Sequence, residues 1–404
     1  MPHLLLISSS HGYRHAAIVE HGELVEFYSE KASKPSIVGN IYKGRVVRIL
    51  PGMQSAFVEI GLDRAGFLYA GDLHIEENNA IFQEDFEEID KKEDKSNGEG
   101  INGDLPVEGI EEDGGADNGM ANEGFALAAA RSKAFVPPNI EEVLNVNEDL
   151  LVQIVKDPIH GKGARLTSQI SIPGRYLVFF PFYNHSGISR RITSEEERTR
   201  LKGIAERLAS NGCGVIIRTA AEGKPENEIV REFEFLKKTF ASIDEKQKKI
   251  SAPALIFEDL DLVLRGARDN LKEGFDMMII DNVADFRRVK DFVASYMPEF
   301  LEKIDLYEGG EPLFEHYGVY HGVFWALERI VWLKSGGTIV IDHTEALTTV
   351  DVNTSRFTGK RDLEETILKT NLEAVKEIAF QLRLRNIGGI IIIDFIDMKE
   401  NANR

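Results

Sequence analysis

The 404-residue sequence contains one cysteine, Cys213, so an internal disulfide framework and a thiol cluster for zinc are both excluded. Long hydrophobic runs are missing too. Apolar strings such as Leu4 to Ile7 and Ile390 to Ile393 are far too short to cross a bilayer or to act as a secretory signal. A soluble, cytoplasmic protein with no membrane segment is the expectation. Net positive charge is lacking as well: 48 Lys plus Arg against 67 Asp plus Glu give −19, which at first argues against a nucleic-acid partner. The deficit is local, however. Between Glu76 and Gly124 there are 17 acidic residues against Lys91, Lys92 and Lys95, a net of −14 that leaves only −5 for the rest of the chain. Whole-chain charge therefore says little about any one binding face.

What is present is ordinary for a globular chain: 43% hydrophobic and 28% charged residues, enough for a sizeable core. At about 150 residues per domain this length points to two or three domains. The stretch from Glu76 to about Ala134 has few apolar anchors and reads as a disordered acidic insertion. Short runs rich in strand formers precede it: Tyr42 to Ile49, Ser55 to Gly61 and Ala65 to Tyr69, punctuated by Pro51-Gly52 and Leu62-Asp63. Asp149 to Lys156 follows it, then a tight turn at Gly161-Lys162-Gly163. This spacing suits a small oligonucleotide-binding barrel of the OB type. Further on, Ser194 with Glu197 predicts a capped helix ending near Asn211-Gly212, and the strand Val215 to Ile217 delivers Arg218 and Thr219 at its end.

The last third alternates strand and helix. Thr338 to Asp342 and Leu347 to Val352 read as paired strands. Asp362 with Glu365 opens a helix whose apolar stripe is predicted at Leu368, Leu372, Val375, Ala379 and Leu382. Ile390 to Ile393 reads as a buried strand closed by Asp394. A strand–helix–strand unit brings Asp351 and Asp394 to one sheet edge, where two carboxylates could hold Mg2+, with Asn353 orienting one of them. Strand-end aspartates also cap loops, and spacing does not choose these two over Asp342, Asp397 and Glu345.

Several long motifs do choose. Gly337-Thr338-Ile339-Val340-Ile341-Asp342-His343-Thr344-Glu345-Ala346-Leu347, Asp351-Val352-Asn353-Thr354, Thr370-Asn371-Leu372-Glu373-Ala374, Gln381-Leu382-Arg383-Leu384-Arg385 and Ile393-Asp394-Phe395-Ile396-Asp397-Met398 stand in order. Upstream come Asn40-Ile41-Tyr42-Lys43-Gly44, Gly187-Ile188-Ser189-Arg190-Arg191-Ile192 and Ile217-Arg218-Thr219-Ala220. Together they resemble the bacterial RNase E/G endoribonucleases, closer to the shorter RNase G-like members, over nearly the whole chain outside the acidic insertion.

The resemblance implies an Mg2+-dependent endonuclease that cuts single-stranded RNA to a 5′-phosphate and a 3′-hydroxyl, stimulated by a 5′-monophosphate. Its implied substrates are rRNA precursors, tRNA precursors and mRNA, with roles in rRNA processing and mRNA decay. Asp351 and Asp394 match the metal-binding catalytic aspartates and Asn353 the residue that orients the first. Phe57 and Phe67 match aromatics on which RNA stacks, although residue type alone would make a strand phenylalanine core. Lys162 matches a nearby basic contact. Arg218 and Thr219 match the 5′-phosphate sensor, and Gly174 and Val178 match backbone positions lining the same pocket.

The implied fold is α+β and multidomain. Residues 1–36 and 264–327 form an RNase H-like subdomain, and 37–168 an S1-type OB barrel holding the insertion at about 76–134. Residues 169–263 form the 5′-sensor and 328–404 a truncated DNase I-like α/β subdomain. The intact family is a homo-oligomer whose zinc-linking Cys-x-x-Cys would fall beyond residue 404, so the chain reads as the catalytic part without the zinc link. The rivals are a non-catalytic RNA-binding protein using the barrel and a metal-dependent nuclease acting on DNA.

Overall fold

The computed structural model describes residues 2–404 except 74–138, 159–160, 184–185, 210–211, 272–273 and 355–362. The acidic stretch and the predicted cap at Asp362 lie outside the described residues. The chain divides into two compact units, one of residues 2–35 with 262–404 and the other built on residues 36–73 and 139–261.

In chain order the strands begin with β1 (His3–Ser10), β2 (Tyr13–Glu20) and β3 (Glu23–Lys31), an antiparallel meander. Next come β4 (Ile41–Leu50), β5 (Ser55–Glu59), β6 (Gly66–Tyr69), β7 (Asp149–Lys156) and β8 (Arg165–Thr167). These five close on themselves in the order β4-β5-β6-β8-β7 and back to β4, forming a barrel. Val46, Ala56, Val58, Leu68, Val152, Ile154 and Leu166 fill its interior. The inward–outward alternation of strand side chains separates this core from the outer surface.

The rest of the second unit is a small sheet of β9 (Ile172–Pro173), β10 (Leu177–Phe180), β11 (Ser186–Ile188) and β12 (Gly214–Ile217), covered by helices α1 (Glu195–Leu208) and α2 (Glu226–Lys249). Ser194 caps α1 by accepting the Glu197 N–H, as its position predicted. Strand β13 (Ala254–Phe257) returns to pair with β4.

In the first unit, helix α3 (Leu262–Asn270), β14 (Met277–Ile280), helix α4 (Val283–Tyr296) and β15 (Ile304–Leu306) complete the sheet β15-β14-β1-β2-β3. Strand β1 is buried on both faces. Leu5 and Ile7 pack under α3 and α4, while Leu4 and Leu6 pack against Leu313, Phe314 and Val319 on the other side. That double burial explains why Leu4 to Ile7 is continuously apolar. Helix α5 (Val319–Leu327) leads into β16 (Ile330–Trp332), β17 (Thr338–His343) and β18 (Leu347–Asn353), then helix α6 (Leu363–Leu384) and β19 (Ile390–Asp394).

Two expectations are corrected here. The buried stripe of α6 is Thr366, Thr370, Asn371, Ala374, Ile378 and Gln381, whereas Leu372 and Val375 are exposed at 57% and 51%. Apolar periodicity pointed to a face about 100° away because the true face carries polar side chains that bond to backbone. Strand β19 is likewise no buried strand. It has β18 on one side only, and Ile390 and Ile392 are exposed among the described residues.

Candidate functional site

Strands β18 and β19 run parallel, with Asp351 in register with Asp394. In-register residues of neighbouring strands project from the same face about 4.8 Å apart, so the two carboxylates stand side by side. Along β18 the alternation is clean. Thr348, Val350 and Val352 are buried on the α6 side, and Asp351 and Asn353 are exposed on the other. The Asn353 amide donates to Asp351 Oδ2 at 2.6 Å, fixing that carboxylate's orientation.

The other candidate carboxylates have different surroundings. Asp342 is held by a bidentate pair with Arg329 at 2.5 and 2.6 Å, and this hydrogen bonding keeps its carboxyl below the usual range. Glu345 lies in the turn between β17 and β18, at the opposite end of β18 from Asp351. Asp397 is exposed three residues beyond β19.

Helix α6 holds the segment that follows Asp394. Buried Asn371 donates to Ile396 O at 2.9 Å and accepts the Ile396 N–H at 3.2 Å. Glu364 accepts the N–H groups of Glu400 and Lys399, and those bonds lower its carboxyl pKa. Gly337 is small for a reason: a Cβ there would meet Asn353 O and Thr370 Cγ2 at 2.9 Å each. A side chain at 337 would push the backbone of Asn353 away from its place on the sheet.

No group of three or more His, Cys, Asp or Glu able to hold a metal occurs among the described residues. The Asp351–Asp394 pair nevertheless suits a hard cation that takes one or two carboxylates and keeps several waters. Trp332 and Ile330, exposed at 57% and 47%, open onto the same sheet face through the rows Trp332–Thr338–Asn353 and Ile330–Val340–Asp351. Sequence reasoning missed both, because β16 is too short to show a period.

On the barrel, Phe57 and Phe67 are cross-strand partners whose rings meet edge to face at 6.0 Å, half-buried and outside the interior cluster. The same row continues to exposed Arg48 on one side and exposed Arg165 on the other. The sequence carried no clear period for these arginines, since β4 is bulged between Val46 and Arg48 and β8 is three residues long; only pairing lines them up with the aromatics. Lys162 is exposed, two residues before Ala164, whose carbonyl accepts the Phe67 N–H at 2.7 Å.

In the small sheet, Arg218 and Thr219 leave the end of β12. Arg218 Nη1 donates to Gly174 O at 2.6 Å, and Thr219 Oγ1 bonds Ser189 Oγ at 2.9 Å. Val178 lies on β10 opposite Ile216 of β12, with its side chain in a core cluster with Phe180, Tyr183 and Ile216. Arg190 and Arg191 are exposed just beyond Ser189. Cys213 is buried, which raises its thiol pKa and leaves it a structural residue.

The chain is similar to known proteins over nearly its whole length. The profile of the Ribonuclease E/G family matches residues 171–404. Ribonuclease G of Haemophilus influenzae is 41% identical over 400 residues, covering 99% of this chain and 72% of that protein. Ribonuclease G of Escherichia coli K12 is 40% identical over 402 residues, with the same coverage of 99% and 72%. Ribonuclease E of Nostoc is 34% identical over 409 residues, covering 100% of this chain and 51% of the relative. This chain belongs to the Ribonuclease E/G family.

Proposed function

We propose that this chain is an endoribonuclease that cuts single-stranded RNA at an Mg2+ ion held by Asp351 and Asp394, leaving a 5′-phosphate and a 3′-hydroxyl. Endoribonuclease activity in RNA processing follows from membership of the family at 41% identity over nearly the full chain. The observation that carries the rest is the in-register carboxylate pair with the Asn353 amide on one member. An ion bound there would lower the pKa of a bound water and neutralise charge on the scissile phosphate.

The chain's own residues do the positioning. Asn353 holds the Asp351 carboxylate, and Asn371 holds the backbone just beyond Asp394. On the barrel, Phe57 and Phe67 stack bases, while Arg48, Arg165 and Lys162 face the phosphate backbone. The domain assignment follows the family reading: residues 37–168 as the RNA-binding barrel, 169–263 as the 5′-sensor, 1–36 with 264–327 as an RNase H-like part, and 328–404 as a DNase I-like catalytic part. Cytoplasmic rRNA and tRNA precursors and mRNA are the proposed substrates.

Arg218 and Thr219 supply a guanidinium fork and a hydroxyl suited to a terminal monophosphate. The test is to incubate the protein and Mg2+ with one unstructured RNA carrying either a 5′-monophosphate or a 5′-hydroxyl. Internal cuts should appear, faster with the monophosphate, and Arg218→Ala should bring the two rates together. Absence of internal cleavage with Mg2+ would overturn the catalytic reading. A preference that survives the substitution would make Arg218 a structural arginine.

A further inference from the structure

Helix α2 carries an acid where an apolar residue belongs. Its core-facing stripe runs Ile229, Glu232, Phe233, Leu236, and Glu232 is only 6% exposed. Burying a carboxylate is costly unless it is fully hydrogen-bonded. Glu232 meets that requirement through backbone: Oε1 accepts the N–H of Arg175 at 2.7 Å, and Oε2 accepts those of Tyr176 at 2.7 Å and Leu177 at 3.1 Å. Three successive N–H groups aimed at one point form a concave anion site, which the protein fills with its own carboxylate.

The same stretch of backbone touches Arg218 twice. Gly174 O accepts from Arg218 Nη1 at 2.6 Å, and Tyr176 O accepts the Arg218 N–H at 2.7 Å. Residue 174 has no room for a side chain, because a Cβ would stand 2.7 Å from Glu232 Cδ and 2.8 Å from Oε2. A continuous chain of bonds therefore runs from the buried carboxylate, through residues 174–177, to the guanidinium.

We propose that Glu232 is a positioning residue for 5′-end recognition: it anchors the loop whose carbonyls aim Arg218. The proposal rests on the reading of Arg218 as the phosphate-recognising arginine. A bidentate fork discriminates only when held to within about 0.5 Å and 10–20° of its productive geometry, and the Glu232 carboxylate supplies that constraint from behind the loop. Glu232→Gln would replace one acceptor oxygen with an amide that presents hydrogens to a backbone N–H. The loop would then shift, and Gly174 O with it.

The experiment compares kcat/KM on 5′-monophosphorylated and 5′-hydroxyl forms of one RNA, in the full chain and in Glu232→Gln, with Arg218→Ala alongside. General damage lowers both values together and leaves their ratio alone; loss of aim lowers the ratio. The ratio should fall by about three- to tenfold in Glu232→Gln. An unchanged ratio in Glu232→Gln, alongside a ratio erased by Arg218→Ala, would overturn the role of Glu232 while leaving the sensor reading intact. No preference in the wild type, or a preference that survives Arg218→Ala, would overturn both. If Glu232→Gln does not fold, Glu232→Asp, which keeps the charge and withdraws it by one methylene, is read by the same ratio with the same two outcomes.

Discussion

Asp394→Asn is the sharpest test of the carboxylate pair, because it keeps the shape of the side chain and removes one charge. Asp351 and Asp394 are in register and both exposed, so their electrostatics act through nearly solvent-like dielectric. At about 4 Å in water, one carboxylate attracts a divalent cation by about 2 kcal/mol. Loss of that attraction corresponds to roughly a thirtyfold weaker affinity. The mutual repulsion of the two carboxylates in metal-free protein, under about 1 kcal/mol on the same scale, disappears as well. Asp394→Asn should therefore be no less stable than wild type in chelator, bind single-stranded RNA as well, and be inactive at moderate Mg2+. Thermal melting in chelator, RNA binding by anisotropy and cleavage across an Mg2+ titration read these three effects separately. Wild-type cleavage at moderate Mg2+ would refute the metal assignment and favour a pure RNA-binding role.

Phe57→Ala should weaken single-stranded RNA binding by roughly 1–3 kcal/mol with little change in melting temperature, since the ring lies outside the barrel interior. A large stability loss with unchanged RNA affinity would make Phe57 core. On α6, Ile378→Ala should cost about 2–5 kcal/mol and Leu372→Ser under about 0.5 kcal/mol, a contrast that chemical denaturation checks against the exposures of 3% and 57%. For Glu364, backbone N–H groups lower the folded carboxyl below its usual 4.5. Its stabilisation is thus complete above that value and is lost as pH falls through the lowered one. Hydrogen exchange at Lys399 and Glu400 should be faster in Glu364→Gln than in wild type at neutral pH, and the two should converge in acid.

The local pattern of this sequence was enough to place strands from Tyr42 to Tyr69 and from Asp149 to Lys156, the Ser194 cap, and the β18–α6–β19 unit with Asp351 near the end of one strand and Asp394 at the end of the other. These features depend on short-range rules: period-two alternation, side-chain capping and turn chemistry. Family resemblance then selected Asp351, Asn353 and Asp394 among several chemically equivalent carboxylates; only the paired strands show that Asp351 stands in register with Asp394 and that Asp342 is held by Arg329.

Other features were decided only by long-range contact. The buried face of α6 escaped its hydrophobic pattern because Thr370 and Asn371 are buried for hydrogen bonds to backbone 4 and 25 residues away, which apolar periodicity does not register. The alignment of Arg48, Phe57, Phe67 and Arg165 exists only once four strands are paired. Glu232 looks in sequence like an ordinary surface acid on a charged helix. Its partners are backbone N–H groups 55 to 57 residues away, and backbone amides are the same at every position of a sequence until folding brings particular ones together.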